Sequence, residues 1–98
     1  MKATWIKSSG NEEEVTPKNG RDFQLEELQD FVAGAGPGGF SDTITIVTLS
    51  DGRIMVANDE GKLIGLKHNS KGTQLYLQAG GVSDIVGNVL VCDKAMVR

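Results

Sequence analysis

With a single cysteine, Cys92, the chain has no intrachain disulfide and suits a reducing compartment, so the cytosol is the expected location. Met1-Lys2-Ala3-Thr4-Trp5-Ile6-Lys7 lacks the apolar core of a signal peptide. No run approaches the roughly 18 apolar residues of a spanning helix, so no membrane partner is expected. Basic residues are in deficit, ten Lys and Arg against thirteen Asp and Glu, for a net charge of −3. A phosphate-backbone binder normally shows the opposite balance, and nucleic acid is not an expected partner. The five aromatic residues (Trp5, Phe23, Phe31, Phe40 and Tyr76) are too scattered for a base-stacking platform. One histidine and one cysteine fall short of the three or four ligands of a zinc site, so no metal is expected. Glycine, in contrast, is plentiful: 13 of 98 residues, spread without a period. That spacing excludes collagen and repeat arrays and points to short elements joined by tight turns. The length allows one domain, residues 1–98, with a single core.

Ala3 to Lys7 reads as a strand, and Ser8 to Asn11 as a turn leading to a short return at Glu14-Val15-Thr16. Pro17 lacks a backbone donor, so the return strand is expected to lie at an edge or to end there, and Glu12 to Glu14 resemble a charged, solvated edge. Leu25, Leu28, Phe31 and Val32 recur at helical spacing, predicting an amphipathic helix that ends near Gly34. Phe23 is placed to staple onto Leu28 with Glu27 at the third helical position; Asp22 is a rival cap. Thr43 to Leu49 is rich in β-branched residues and reads as a strand. Asp51-Gly52 predicts a two-residue type I′ turn, pairing Leu49 with Ile54 and Val47 with Val56 on one face. Both faces of that hairpin are apolar enough to be covered, so it is expected mid-sheet or against a partner chain. His68 to Gly72 reads as a polar loop, and Gln74 to Leu77 is ambiguous between strand and helical turn. Asp84 to Cys92 closes the fold as a buried strand whose Gly87-Asn88 pair marks a bulge or a close backbone approach. The expected class is α+β: four to six mostly antiparallel strands with one amphipathic helix packed on them.

Gly34-Ala35-Gly36-Pro37-Gly38-Gly39 matches G-x-G-x-x-G, with Asp59 and Glu60 about 20 residues on. In a dinucleotide site, however, the loop leaves a strand and opens a helix whose N-terminus faces the pyrophosphate. Here it leaves a helix and enters a strand, so it reads as a connector and no cofactor is implied. Asp59 and Glu60 are sequence neighbours whose side chains diverge, and turn chemistry accounts for Asn58, Asp59 and Gly61 without a reaction. No catalytic constellation emerges, and Cys92 reads as a small core residue rather than the partner of His68 in a nucleophilic pair.

Asn58-Asp59-Glu60-Gly61-Lys62-Leu63-Ile64-Gly65-Leu66 and Asn69, preceded by Leu28-Gln29 and Val32 and followed by Asp84 to Gly87, Leu90 and Val91, carry a resemblance. The chain resembles a small bacterial and phage domain family catalogued only as a domain of unknown function. Its pattern is N-E-E-G-K-L-x-G-L-x-x-N after a helical L-Q-x-x-V. Departures are Asp59 in place of glutamate and the long glycine connector. The resemblance implies an accessory protein of phage or mobile elements with no established reaction. The expected function is therefore a non-catalytic module that binds a protein partner, with a homodimer as a further option. The alternative is a nucleotide or other anion held by the Asn58–Gly61 turn and nearby lysines. In either case Asn58, Asp59, Glu60, Gly61, Lys62, His68 and Asn69 are the candidate binding residues. If Lys62, Asn69 and the Asn58–Gly61 turn form the surface, their side chains matter for binding more than for folding; otherwise Asn69 is a buried turn-former and the run is architecture.

Overall fold

A computed structural model describes residues 3–32, 44–58, 65–82 and 84–97. Five strands, β1 (Ala3–Ile6), β2 (Glu12–Val15), β3 (Ile44–Thr48), β4 (Ile54–Asn58) and β5 (Val89–Cys92), form one sheet in the order β2-β1-β5-β4-β3. Every neighbouring pair is antiparallel. Helix α1 (Leu25–Val32) lies between β2 and β3 in sequence, and α2 (Ser70–Gln78) between β4 and β5. The fold is α+β, and no described helix is long and apolar enough to cross a membrane.

The alternation of strand side chains makes two cores. Ala3, Ile54, Val56, Leu90 and Cys92 face α1, where Leu28 and Val32 join Phe23 and Met96. Ile6, Met55, Ala57, Val89 and Val91 face the other way, with Leu49 and Ile85, and are covered by Leu75 and Tyr76 of α2. With both faces dry, β5 and β4 are buried along their whole lengths.

Helix α1 begins as its sequence signals. Glu27 accepts from the Gln24 N–H at 3.3 Å, the reciprocal half of a capping box, and Phe23 packs in the same cluster as Leu28. Asp22, the rival cap, instead accepts from the side-chain amides of Asn19 and Gln24. At the other end, where helix carbonyls lack partners, Trp5 Nε1 donates to Phe31 O at 2.9 Å and Asn58 Nδ2 to Val32 O at 3.3 Å. Gly34 and the connector to Gly39 lie outside the described residues.

A second helix starts inside the stretch expected to be a loop, at Ser70, and runs through Gln74 to Leu77, where of the two readings left open the helical one forms. Its apolar pattern is weak, and it is specified at its ends. Asn69 caps it by accepting from the Gly72 N–H at 2.9 Å. At the C-terminus, Gly81 N–H donates to Tyr76 O at 2.8 Å and Gly80 N–H to Leu77 O at 3.1 Å, with Gly80 at φ +93°, a Schellman motif. Gly72 costs helix propensity but lets the helix approach Ile85, whose Cγ2 would lie 3.2 Å from any added Cβ.

The β3–β4 register differs by one residue from the expected one: Thr48 pairs Ile54, Val47 pairs Met55 and Ile46 pairs Val56. The loop has three residues. Gly52 N–H donates to Leu49 O at 3.0 Å, Leu49 N–H to Arg53 O at 2.7 Å, and Gly52 takes φ +88°. A type I′ turn would also need Asp51 at positive φ, and no described non-glycine residue is there. Asp51 instead accepts from the Arg53 N–H and pairs with Arg53 Nε at 2.6 Å, contacts that hold its carboxyl below the usual carboxylate range. The one-residue shift moves Leu49 and Val47 to the α2 face, opposite Ile54 and Val56. The β1–β2 hairpin repeats this turn at Ser8-Ser9-Gly10. Gly52→Val is expected to cost about 1–2 kcal/mol in chemical denaturation. Nothing lies within 4 Å of the added Cβ, so the cost is that of a β-branched residue at positive φ. A loss under about 0.5 kcal/mol would mean that another turn serves equally well.

The interruption before β5 is a close approach: a Cβ on Gly87 would meet Leu66 Cδ1 at 2.7 Å. The strand itself spans only Val89–Cys92, while Val86 forms an isolated bridge with His68.

Candidate functional site

The structure disperses the residues expected to form a recognition surface. Asn58, 7% exposed, ends β4 on the α1 face and donates to Val32 O. Asn69, 1% exposed, lies under the opposite face. Its Nδ2 donates to Ile6 O at 3.1 Å and Gly87 O at 2.8 Å, while its Oδ1 caps α2. Of the two roles open to Asn69, the buried architectural one fits this placement: its amide is committed to three buried backbone groups. Asp59, Glu60, Gly61 and Lys62 lie outside the described residues. His68 is exposed, with Nδ1 3.3 Å from Asp84 Oδ2. Cys92 is buried, and burial together with the neighbouring Asp93 charge pushes its thiol up to about 11, so it is protonated at neutral pH and a weak nucleophile. No group of three metal-ligating side chains occurs among the described residues.

A concavity lies elsewhere among the described residues. Between edge strand β2 and helix α1 runs an open groove of about 500 Å³. Among the described residues its apolar lining comes from Val15 and Phe31 and its charged lining from Glu27, Asp30 and Lys18, with Glu14, whose side chain the register turns to the other face, contributing at the rim. Phe31 is half-buried and held by edge-to-face contacts with Trp5 and Phe23, at centroid distances of 5.3 and 5.7 Å. Glu27 accepts from the Lys18 N–H as well as from Gln24, tying the loop after β2 to the first turn of α1. The groove is thus fixed by the same contacts that start the helix.

Beside it, β2 is a sheet edge. Lys7 N–H donates to Asn11 O at 2.8 Å, so in the β1–β2 ladder the alternation of bonded pairs turns the backbone groups of Glu12 and Glu14 outward. Glu13 pairs with Lys7 at 3.4 Å, and Lys7 Nζ also sits 4.5 Å from the Trp5 ring centroid. Glu12 pairs with Lys71 of α2. Such an edge with an acidic, partly apolar groove can add a strand and receive cationic and apolar side chains from it.

Sequence reasoning missed this place because its parts read separately, Glu12 to Glu14 as a solvated edge and Phe31 as core. The available signal was the recurrence of acids in both segments, but only the fold puts them together. No protein-family model, curated protein or solved structure matches the chain.

Proposed function

We propose that this protein is a non-catalytic interaction module, an accessory protein of phage or mobile-element type working in the cytosol. Its partner is a protein that lays a basic, partly apolar, extended segment along β2 and into the groove. The observation that carries this reading is the groove itself, where among the described residues the carboxylates of Glu27 and Asp30 and the ammonium of Lys18 flank an apolar lining beside the edge strand β2. Main-chain pairing would supply affinity, and alternate side chains of the segment would supply specificity. The charge on β2 favours a basic strand and opposes a second acidic one. A volume of about 500 Å³ also falls in the range of small-ligand sites, roughly 300–1,000 Å³, but the lining suits a cation better than a nucleotide.

Titrating the isotopically labelled chain with a peptide of alternating lysine and valine tests the reading. Amide shifts are expected at Val15, Thr16 and Phe31, with little response to the matching glutamate–valine peptide. Asp30→Lys is expected to weaken binding about fivefold, the equivalent of about 1 kcal/mol for an exposed charge pair. The melting midpoint should hardly move. Equal responses to the two peptides, or shifts confined to other surfaces, would overturn the proposal.

A further inference from the structure

The two edges of the sheet are chemically unlike. Strand β2 carries three consecutive glutamates, whereas β3, Ile44-Thr45-Ile46-Val47-Thr48, has no charge, proline or glycine. Charges and prolines are the usual protection of an edge, and among the described residues no strand pairs with the outer side of β3. Ile46, on the α1 face of this edge strand, is 49% exposed. The ladder also fixes which backbone groups are available. Leu49 N–H bonds Arg53 O, so alternate residues inward from that pair bond β4, and Ile44, Ile46 and Thr48 turn their N–H and C=O groups outward.

We infer that β3 pairs with β3 of a second copy of this chain, antiparallel about a two-fold axis through Ile46, to form a continuous ten-stranded sheet. This rests on the β3 edge alone and is independent of the groove. An interface on a two-fold axis must be self-complementary. This one sets Ile46 opposite Ile46, Thr45 opposite Val47 and Ile44 opposite Thr48, all β-branched residues that make favourable cross-strand neighbours. The outward-facing positions coincide with the bonded ones in that register, since Ile46 faces its own copy and Ile44 faces Thr48. The same operation at β2 would bring two glutamate runs together, which selects β3 as the self-pairing edge. In the dimer, the two β2 edges and their grooves lie at opposite ends of the sheet.

Sedimentation equilibrium of the full chain at about 1 mM should give twice the 10.4 kDa chain mass, and Ile46→Lys should return it to 10.4 kDa with an unchanged circular dichroism spectrum. Oxidative cross-linking tests the register even if that variant fails to fold. Ile46→Cys copies would have Cα atoms about 5.5 Å apart, within disulfide reach, and should link readily. Thr48→Cys copies would be offset by four residues, about 14 Å along the strands, and should not. Buried Cys92 makes the unaltered chain the uncross-linked control. A monomer at about 1 mM, a dimer that persists in Ile46→Lys, or cross-linking through Thr48→Cys in place of Ile46→Cys would each overturn the proposal.

Discussion

Asn69→Ala is expected to destabilise the domain by about 3–5 kcal/mol, the largest loss of any single polar substitution considered. The side chain makes three bonds at 1% exposure: Nδ2 to Ile6 O at the end of β1, Nδ2 to Gly87 O before β5, and Oδ1 from the Gly72 N–H inside α2. Loss of the cap costs about 1 kcal/mol, and loss of the amide donor to each of the two buried carbonyls about 1–2 kcal/mol. In a domain of this size each kcal/mol moves the melting midpoint by roughly 4–8 °C. Asn69→Asp separates the two roles, because it keeps the cap acceptor but sets a carboxylate against two carbonyl oxygens. It is expected to be no better than alanine in urea denaturation. Recovery of most of the stability in Asn69→Asp would mean that capping alone matters. A near-unchanged midpoint in Asn69→Ala would return the residue to the surface role.

Phe31→Ala is expected to cost about 3 kcal/mol, the low end of the range for truncating a packed phenylalanine, because the ring is half-buried. Its edge-to-face contacts with Trp5 and Phe23 each contribute about 0.5–1.5 kcal/mol beyond area burial. Trp5, the one tryptophan, reports the change directly: its emission should shift to longer wavelength as the neighbouring ring is lost. Phe31→Leu should recover part of the stability through volume, and leave the emission change mostly in place. A loss under 1 kcal/mol with unchanged emission would mean that the trio does not bind α1 to the sheet. Because Phe31 also lines the groove, Phe31→Leu should weaken the lysine–valine peptide more than it weakens the fold.

What the sequence determined by itself is what neighbours within a few positions decide. The 3.6-residue period of Leu25, Leu28 and Val32, with Phe23 and Glu27 at capping distance, specifies α1 at its observed bounds. Pro17 and the glutamate run place β2 at an edge for the same local reason, and β-branched density marks β3. The β3–β4 register escaped because Asp51-Gly52 suits two loops equally. The choice fell to the Leu49–Arg53 pairing and the Asp51–Arg53 contact rather than to the dipeptide. Helix α2 is legible only as one of two readings of Gln74 to Leu77, and its first turn reads as a loop, because its apolar stripe is thin. It is held through Asn69, whose bond to Ile6 O spans 63 positions of sequence. The last strand pairs with β1 and β4, and that insertion puts α1 over β5 and β2 beside its rim. The groove therefore exists only after closure of the whole chain, since Val15 joins Phe31 in one cluster through the sheet rather than along the sequence.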